Sequence, residues 1–437
     1  MIFKKNERVT TQDNKTFIVK DLLGEGGQGE VYLVDFEGKN YALKIYNDIP
    51  SSDFIYNLKN NINRGAPSES FLWPLLFINV NDKHIGYLME LRPKNFHSFV
   101  SYLTGNKGFK DQYTLVSWCI ELCLAFKKLH ENGFSYQDLN DGSFFFEEET
   151  GKLLICDNDN VTADKRNLGI LGKMRYMAPE IVRRDKCADG TFQMPDTHSD
   201  RFSLAVILFM TLCLGNPFEG EFLKNYDIVD EKSDLEMFGT KPLFIYHKTN
   251  KSNRPIRGYH TSVIKRWPKL PIYIKEAFHR TFVDGLIDRE NERTTELEWI
   301  KVLTKYRDEL ITCSCGKQFI CGFDEKELNN TCPYCNTDTK KYCTLLIGKN
   351  RVALEPGKKL YEYHIDKYSA NYNKEIGIVI VNKNNPSLWG IRLNISHTIE
   401  IKDASGNIKE IPGTGVIPII NNLEIKFDDN LIGKIKI

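Results

Sequence analysis

The sequence of 437 residues predicts an α+β chain, β-rich at its start, helical through its middle and all-β at its end. Three observations carry that prediction. A glycine-rich turn, Gly24 to Gly29, is flanked by alternating apolar residues and followed by the strand-like Tyr41-Ala42-Leu43-Lys44. Leu115 to Asn132 then carries Val116, Cys119, Ile120, Cys123, Phe126 and Leu129 at helical spacing. From Leu345 onward the pattern shortens to alternating runs separated by turn residues.

The opening element is the most informative. Gly24-Glu25-Gly26-Gly27-Gln28-Gly29-Glu30-Val31 predicts a hairpin whose glycines let the backbone lie close over phosphate oxygens. Lys44, 15 residues beyond Gly29, brings a positive charge to the α- and β-phosphates from the next strand. The pair predicts a nucleotide bound under a β-hairpin.

Composition narrows the classes that remain. A hydrophobic content of 41% with 27% charged residues describes a globular chain. A net charge of +1 argues against nucleic-acid binding through bulk electrostatics. Phe202 to Leu214, the most apolar stretch, is too short to cross a bilayer and is expected to be a buried helix. The residues after Met1 lack a signal-peptide core, so the expected location is the cytoplasm with no membrane partner. Five of the eleven cysteines (Cys119, Cys123, Cys156, Cys187 and Cys213) are scattered through the first two thirds and read as small core residues.

The other six cysteines lie between Cys313 and Cys343. Cys313-Ser314-Cys315-Gly316 and Cys332-Pro333-Tyr334-Cys335 form two knuckles, and thiolates supplied in pairs on tight turns can close a tetrahedron around zinc. The expectation is a structural zinc ribbon at residues 311–345, with Cys321 and Cys343 spare and able to replace Cys313. The alternative is a cluster of buried free thiols. Beyond it, Ile376 to Val381, Trp389 to Leu393, His397 to Lys402, Leu423 to Phe427 and Lys434 to Ile437 predict strands of a small β-sandwich at 346–437, serving interaction. It resembles a forkhead-associated sandwich in shape at most, because the spaced Ser/His recognition pattern is missing: Ser396 and His397 are adjacent.

Further motifs follow in a definite order: Tyr136-Gln137-Asp138-Leu139-Asn140, Ile155-Cys156-Asp157-Asn158-Asp159, Tyr176-Met177-Ala178-Pro179-Glu180, Ser199-Asp200-Arg201 and Asn291-Glu292-Arg293. With the glycine loop, their order and spacing resemble the eukaryotic-like (Hanks-type) protein kinase family over residues 15 to 310. The resemblance implies a bilobal protein-kinase-like fold, with an N-lobe at 1–92 and a C-lobe at 93–310, followed by the zinc ribbon and the all-β sandwich. It implies that Asp138 accepts or orients the substrate hydroxyl proton, that Asp157 holds magnesium (or manganese), and that Lys44 pairs with the phosphates of ATP. Gly24, Gly26, Gly27, Gly29, Val31, Ala42, Met89, Glu90 and Leu91 are the implied nucleotide-binding residues, with the adenine near Glu90 and Leu91. Glu180 and Arg293 resemble a bracing ion pair, and Asp200 resembles the aspartate that caps the catalytic loop.

Departures from the family pattern matter as much. Tyr136-Gln137-Asp138 lacks the arginine that receives an activation-loop phosphate, so gating by loop phosphorylation is not expected. Ser143 replaces the second-metal asparagine and Asn140 the catalytic-loop lysine, while Lys173 stands where the family has a threonine. Asp159 adds a carboxylate expected near the metals, compensating for Ser143. The helix containing Phe54 to Ile62 has no glutamate for Lys44; Asn57 is nearest the expected place, or else faces solvent. The whole resembles a bacterial kinase subgroup with a zinc ribbon, whose members associate with a metal-dependent protein phosphatase and a von Willebrand A-type protein. The implied activity is phosphoryl transfer to serine or threonine of protein substrates. The alternatives are a pseudokinase scaffold and small-molecule phosphotransfer.

Overall fold

The computed structural model describes residues 2–81, 83–166, 168, 172–320, 331–338 and 343–437. They divide into two compact units, Met1–Lys110 with Ser117–Ile300, and Asp111–Val116 with Lys301–Ile437. The expected zinc ribbon and sandwich therefore fall in one unit, and the break after Ile300 comes ten residues before the expected end of the C-lobe.

In the first unit, six antiparallel strands open the chain: β1 (Arg8–Thr10), β2 (Thr16–Glu25), β3 (Gly29–Phe36), β4 (Lys39–Tyr46), β5 (Pro74–Asn81) and β6 (His84–Glu90), in the order β1-β2-β3-β4-β6-β5. The two-residue period of a strand divides β4 between two faces. Leu43 and Ile45 enter a core with Val19, Val34, Ile78 and Leu88. Ala42 and Tyr46 enter another with Tyr87, Met89 and Leu58 of helix α1 (Ser52–Arg64), which places Lys44 on that second face. The α1 helix starts at Ser51, whose hydroxyl accepts from the Phe54 amide, and ends at Gly65 with φ 77°.

The rest of this unit is mainly helical. From Ser117 on, helix Gln112–Glu131 belongs to this unit and buries Trp118, Ile120, Leu122, Phe126 and Leu129, and helix Thr197–Cys213 is buried almost throughout. The latter opens on a reciprocal cap between Asp196 and Ser199. Between the two helices, strands Phe144–Glu147 and Leu153–Ile155 form a hairpin around the turn that contains Thr150 and Gly151. Strand Phe134–Ser135 pairs with Thr162–Ala163. These two short pairings carry Asp138 and Asp157 on the loops that leave them.

The second unit ends in two sheets. One holds six strands in the order Asn350–Leu354, Cys343–Ile347, Leu431–Lys436, Glu424–Asp428, Ile399–Lys402, Ile408–Ile411. The other holds four: Lys359–Tyr361, Glu375–Val381, Trp389–Leu393 and Val416–Pro418. Leu345, Val352, Ile401, Ile425 and Ile435 from the first pack with Leu360, Val379, Ile391 and Ile417 from the second in a single core, as in a β-sandwich. Its first strand starts at Cys343, so the sandwich begins before the expected boundary at 346.

Candidate active site and cysteine cluster

Between the strands and the helical part of the first unit lies a cavity of about 370 Å³. It is lined by Gly24, Gly26, Gly27, Gly29, Val31, Lys44, Asp138, Ser143 and Asp157, together with Glu25, Gln28, Asn140 and Asn160. Ala42 and Met89 face each other across β4 and β6, both buried, and with Glu90 and Leu91 do not line this cavity. The glycines act differently from one another. No atom lies within 4 Å of a Cβ built at Gly24 or Gly27, so these leave open space over the cavity. At Gly29 a Cβ would stand 2.2 Å from the Ile45 carbonyl oxygen, so that glycine lets β3 and β4 meet.

Asp138 follows Gln137, which has φ 68°, and its Oδ1 accepts from Asn140 Nδ2 at 3.1 Å. The loop is held from beneath by Asp200, whose oxygens accept from the Tyr136 amide at 2.6 Å and the Gln137 amide at 3.3 Å. Asp157 also has left-handed backbone, φ 56° and ψ 42°, before the short turn Asn158–Asn160. Burial is the largest influence on both aspartates and lifts both carboxyls above their ordinary range. Asn140 and Lys173 pull Asp138 back, and Lys44 does so for Asp157. A divalent cation held by Asp157 would offset the same penalty there. Fit for such an ion is supported by the Asp157 carboxylate, the Ser143 side chain and the Asn160 Oδ1, which is buried with no hydrogen-bond partner.

Lys44 is almost wholly buried. Its Nζ lies 2.9 Å from Asp159 Oδ2, 3.7 Å from Asp157 Oδ1 and 3.3 Å from Gln28 Oε1. Burial opposes its charge, but Asp159 and Asp157 outweigh that, and its affinity for the proton rises. Asp159 is a correction to the expectation of a metal-side carboxylate. It is fully buried, does not line the cavity, and accepts from Lys44 and from the Tyr46 hydroxyl at 2.8 Å. Asn57 is a second correction, for it neither meets Lys44 nor faces solvent. Its Nδ2 donates to the Val161 carbonyl at 2.8 Å, beside Asn61 at 2.7 Å.

The other expected contacts of the large lobe are present. Arg293 donates through both terminal nitrogens to Glu180 at 2.8 Å. Gln137, where the family has arginine, donates to Thr162 Oγ1 and to the Arg166 carbonyl. Thr162 is buried, so its hydroxyl serves this contact. Asn61, Tyr46 and Asn160 were not anticipated. Asn61 lies one helical turn beyond Asn57, and Tyr46 lies two residues beyond Lys44 in a strand, so periodicity carried a signal for both.

In the second unit, Cys313, Cys315, Cys332 and Cys335 bring their sulfurs within 4.8 Å of one another. Cys313 and Cys335 stand 3.6 Å apart and Cys315 and Cys332 3.8 Å, far beyond a disulfide bond. A tetrahedron of sulfurs about 2.3 Å from zinc has an edge of about 3.8 Å, which these spacings match. Gly316, with φ 77°, and Asn336, with φ 58°, turn the two knuckles. Cys321 lies outside the described residues; Cys343 is in the sandwich strand and not in the cluster.

A glycine loop, a buried lysine and two loop aspartates around one cleft define a nucleotide-binding fold of the phosphotransferase type. The protein kinase domain model matches residues 17–291, and the chain belongs to that family. A probable serine/threonine-protein kinase of Dictyostelium discoideum is 24% identical over 238 residues, covering 51% of this chain and 48% of its own. Protein kinase YegI of Escherichia coli is 23% identical over 359 residues, covering 77% of this chain and 51% of its own. An alignment that long runs past residue 291 into the cysteine-bearing tail. The chain spans about half the length of both curated relatives. Among solved structures, the autoinhibited serine kinase domain of titin aligns with a TM-score of 0.47 and 15% identity, covering 65% of this chain and 78% of that one.

Proposed function

We propose that the chain transfers the terminal phosphoryl group of ATP to serine or threonine hydroxyls of protein substrates. One observation carries the reading: Lys44, Asp138 and Asp157, far apart in sequence, line a single cavity beneath the glycine loop. Asp157, with Ser143 and the Asn160 side-chain Oδ1, is the donor set for magnesium or manganese, which would neutralise charge on the phosphates when bound. Lys44 exchanges its contact with Gln28 for a phosphate oxygen and holds the triphosphate. Asp138 orients the acceptor hydroxyl and takes its proton. Positioning and charge supply most of the acceleration in this chemistry, so the side chains need no covalent step.

Gln137 supports activity without loop phosphorylation, because it bonds the segment after Asp157 directly where an arginine would await a phosphate. The four-cysteine cluster supports structural zinc. The sandwich as an interaction module, the cytoplasmic location, and a metal-dependent phosphatase and a von Willebrand A-type protein as partners rest on the sequence pattern and the subgroup resemblance. Among the described residues no helix is long and apolar enough to cross a membrane.

The test is purified full-length protein with radiolabelled ATP and magnesium or manganese, beside Asp138→Ala. Incorporation into a protein acceptor that Asp138→Ala abolishes supports transfer. Thermal stabilisation by ATP with no incorporation above that control overturns it in favour of the pseudokinase scaffold, a reading that the Ser143 and Asn140 substitutions favour.

A further inference from the structure

We infer that Asp159 is the positioning anion for Lys44, supplying from the segment after Asp157 the carboxylate that α1 lacks. The inference deepens the phosphotransfer reading and rests on it for its functional meaning. Among the described residues the partners of Lys44 Nζ are Gln28, Asp157 and Asp159, and the bond to Asp159 is the shortest. Both members of that pair are buried, the lysine side chain 5% exposed and the aspartate 0%. Removing one member of a buried ion pair leaves the other charge uncompensated, and this pair is fixed at both ends. Lys44 is held in the β4 ladder, opposite Tyr87. Asp159 sits in the turn Asn158–Asn160, and the Tyr46 hydroxyl orients its carboxylate.

The only carboxylate on α1 is Asp53, exposed in its first turn. The inward side chains Asn57 and Asn61 bond the Val161 carbonyl instead. Lysine alignment is therefore set by the segment that also carries Asp157. A shift of the turn Asn158–Asn160 moves the metal-side carboxylate and the lysine's partner together, whereas a shift of α1 breaks no bond to Lys44.

A double-mutant cycle on the full chain tests this, with Asp159→Asn, Lys44→Met and the two combined. The readouts are affinity for a fluorescent ADP probe and thermal midpoint without nucleotide. In the wild-type background Asp159→Asn is expected to weaken probe binding by about thirtyfold or more. In the Lys44→Met background it is expected to change binding less than about twofold, because the cation it positions is gone. Equal losses in both backgrounds, or no loss in either, overturn the inference. Should Asp159→Asn alone not fold, the double variant leaves no unpaired charge and is compared with Lys44→Met; lower probe affinity in the double variant overturns the inference. Neither readout needs phosphoryl transfer, so a protein that binds ADP but transfers nothing fails the functional reading while leaving this one testable. If wild type binds no nucleotide, additive losses in thermal midpoint overturn the pairing, and non-additive losses support it.

Discussion

His130 offers a quantitative test of how the catalytic loop is held. Its ring is 7% exposed, with Nε2 at 3.1 Å from Asp200 and Nδ1 at 2.9 Å from Glu296. Burial alone lowers its proton affinity, but the hydrogen bonds and charges of the two carboxylates prevail and push its pKa to about 9 from 6.5. A folded value above the unfolded one means that protonation stabilises the fold. That contribution is complete below pH 6.5 and is lost as pH rises through about 9. Two and a half units correspond to about 3 kcal/mol at most, and roughly 1.4 kcal/mol should survive at pH 8. His130→Asn removes the titration. Urea unfolding of both proteins, followed by circular dichroism from about pH 6 to pH 10, should show the stability gap narrowing by about 3 kcal/mol. Ionisable groups remote from His130 are common to both proteins and cancel in the difference. A gap that stays constant across that range would falsify the claim that a charged imidazolium braces Asp200, and through it the amides of Tyr136 and Gln137.

Three further outcomes are expected. Chelation of purified protein should release zinc in a one-to-one ratio, and Cys332→Ser should purify without it; metal analysis by mass spectrometry reads both. Gly29→Ala should destabilise the nucleotide-free protein by about 1–3 kcal/mol, because its Cβ meets the Ile45 carbonyl, whereas Gly27→Ala should lie within about 0.5 kcal/mol of wild type; thermal denaturation compares them. Thr162→Val should cost about 1–3 kcal/mol by removing a buried hydroxyl that accepts from Gln137 and donates to the Arg166 carbonyl, and Thr162→Glu should fail to raise phosphate incorporation above wild type in the radiolabel assay.

Much of the site was legible because its motifs are local. A glycine loop needs open space over its own hairpin, a lysine in the next strand follows by period, and Asp138 and Asp157 sit on turns that the flanking apolar runs delimit. The four-cysteine cluster was legible for the same reason, each pair of sulfurs sharing one tight turn. Partnerships between distant segments were not. Lys44 and Asp159 are 115 residues apart, and Asn57 and Val161 are 104 apart. Asp159 was expected near the metals, because nothing in its own neighbourhood marks Lys44 as its partner. Nor does local composition mark Ile300, inside the helix Glu296–Glu309, as the break between compact units.

The departures from the family pattern acquire a common meaning once their partners are known. Read alone, arginine to Gln137 and a missing glutamate on α1 look like losses, and Asp159 looks like a stray carboxylate. Their side chains nonetheless meet one stretch of chain, residues 157–166. Gln137 bonds Thr162 and Arg166, Asn57 and Asn61 bond Val161, and Asp159 within the stretch bonds Lys44 and Tyr46. Each of the neutral bonds is worth about 1 kcal/mol, and a buried set reinforces itself. A family member held by a phosphate on one side and by a glutamate on a mobile helix on the other has two independent switches. Here both attachments are made by permanent side chains of the folded protein.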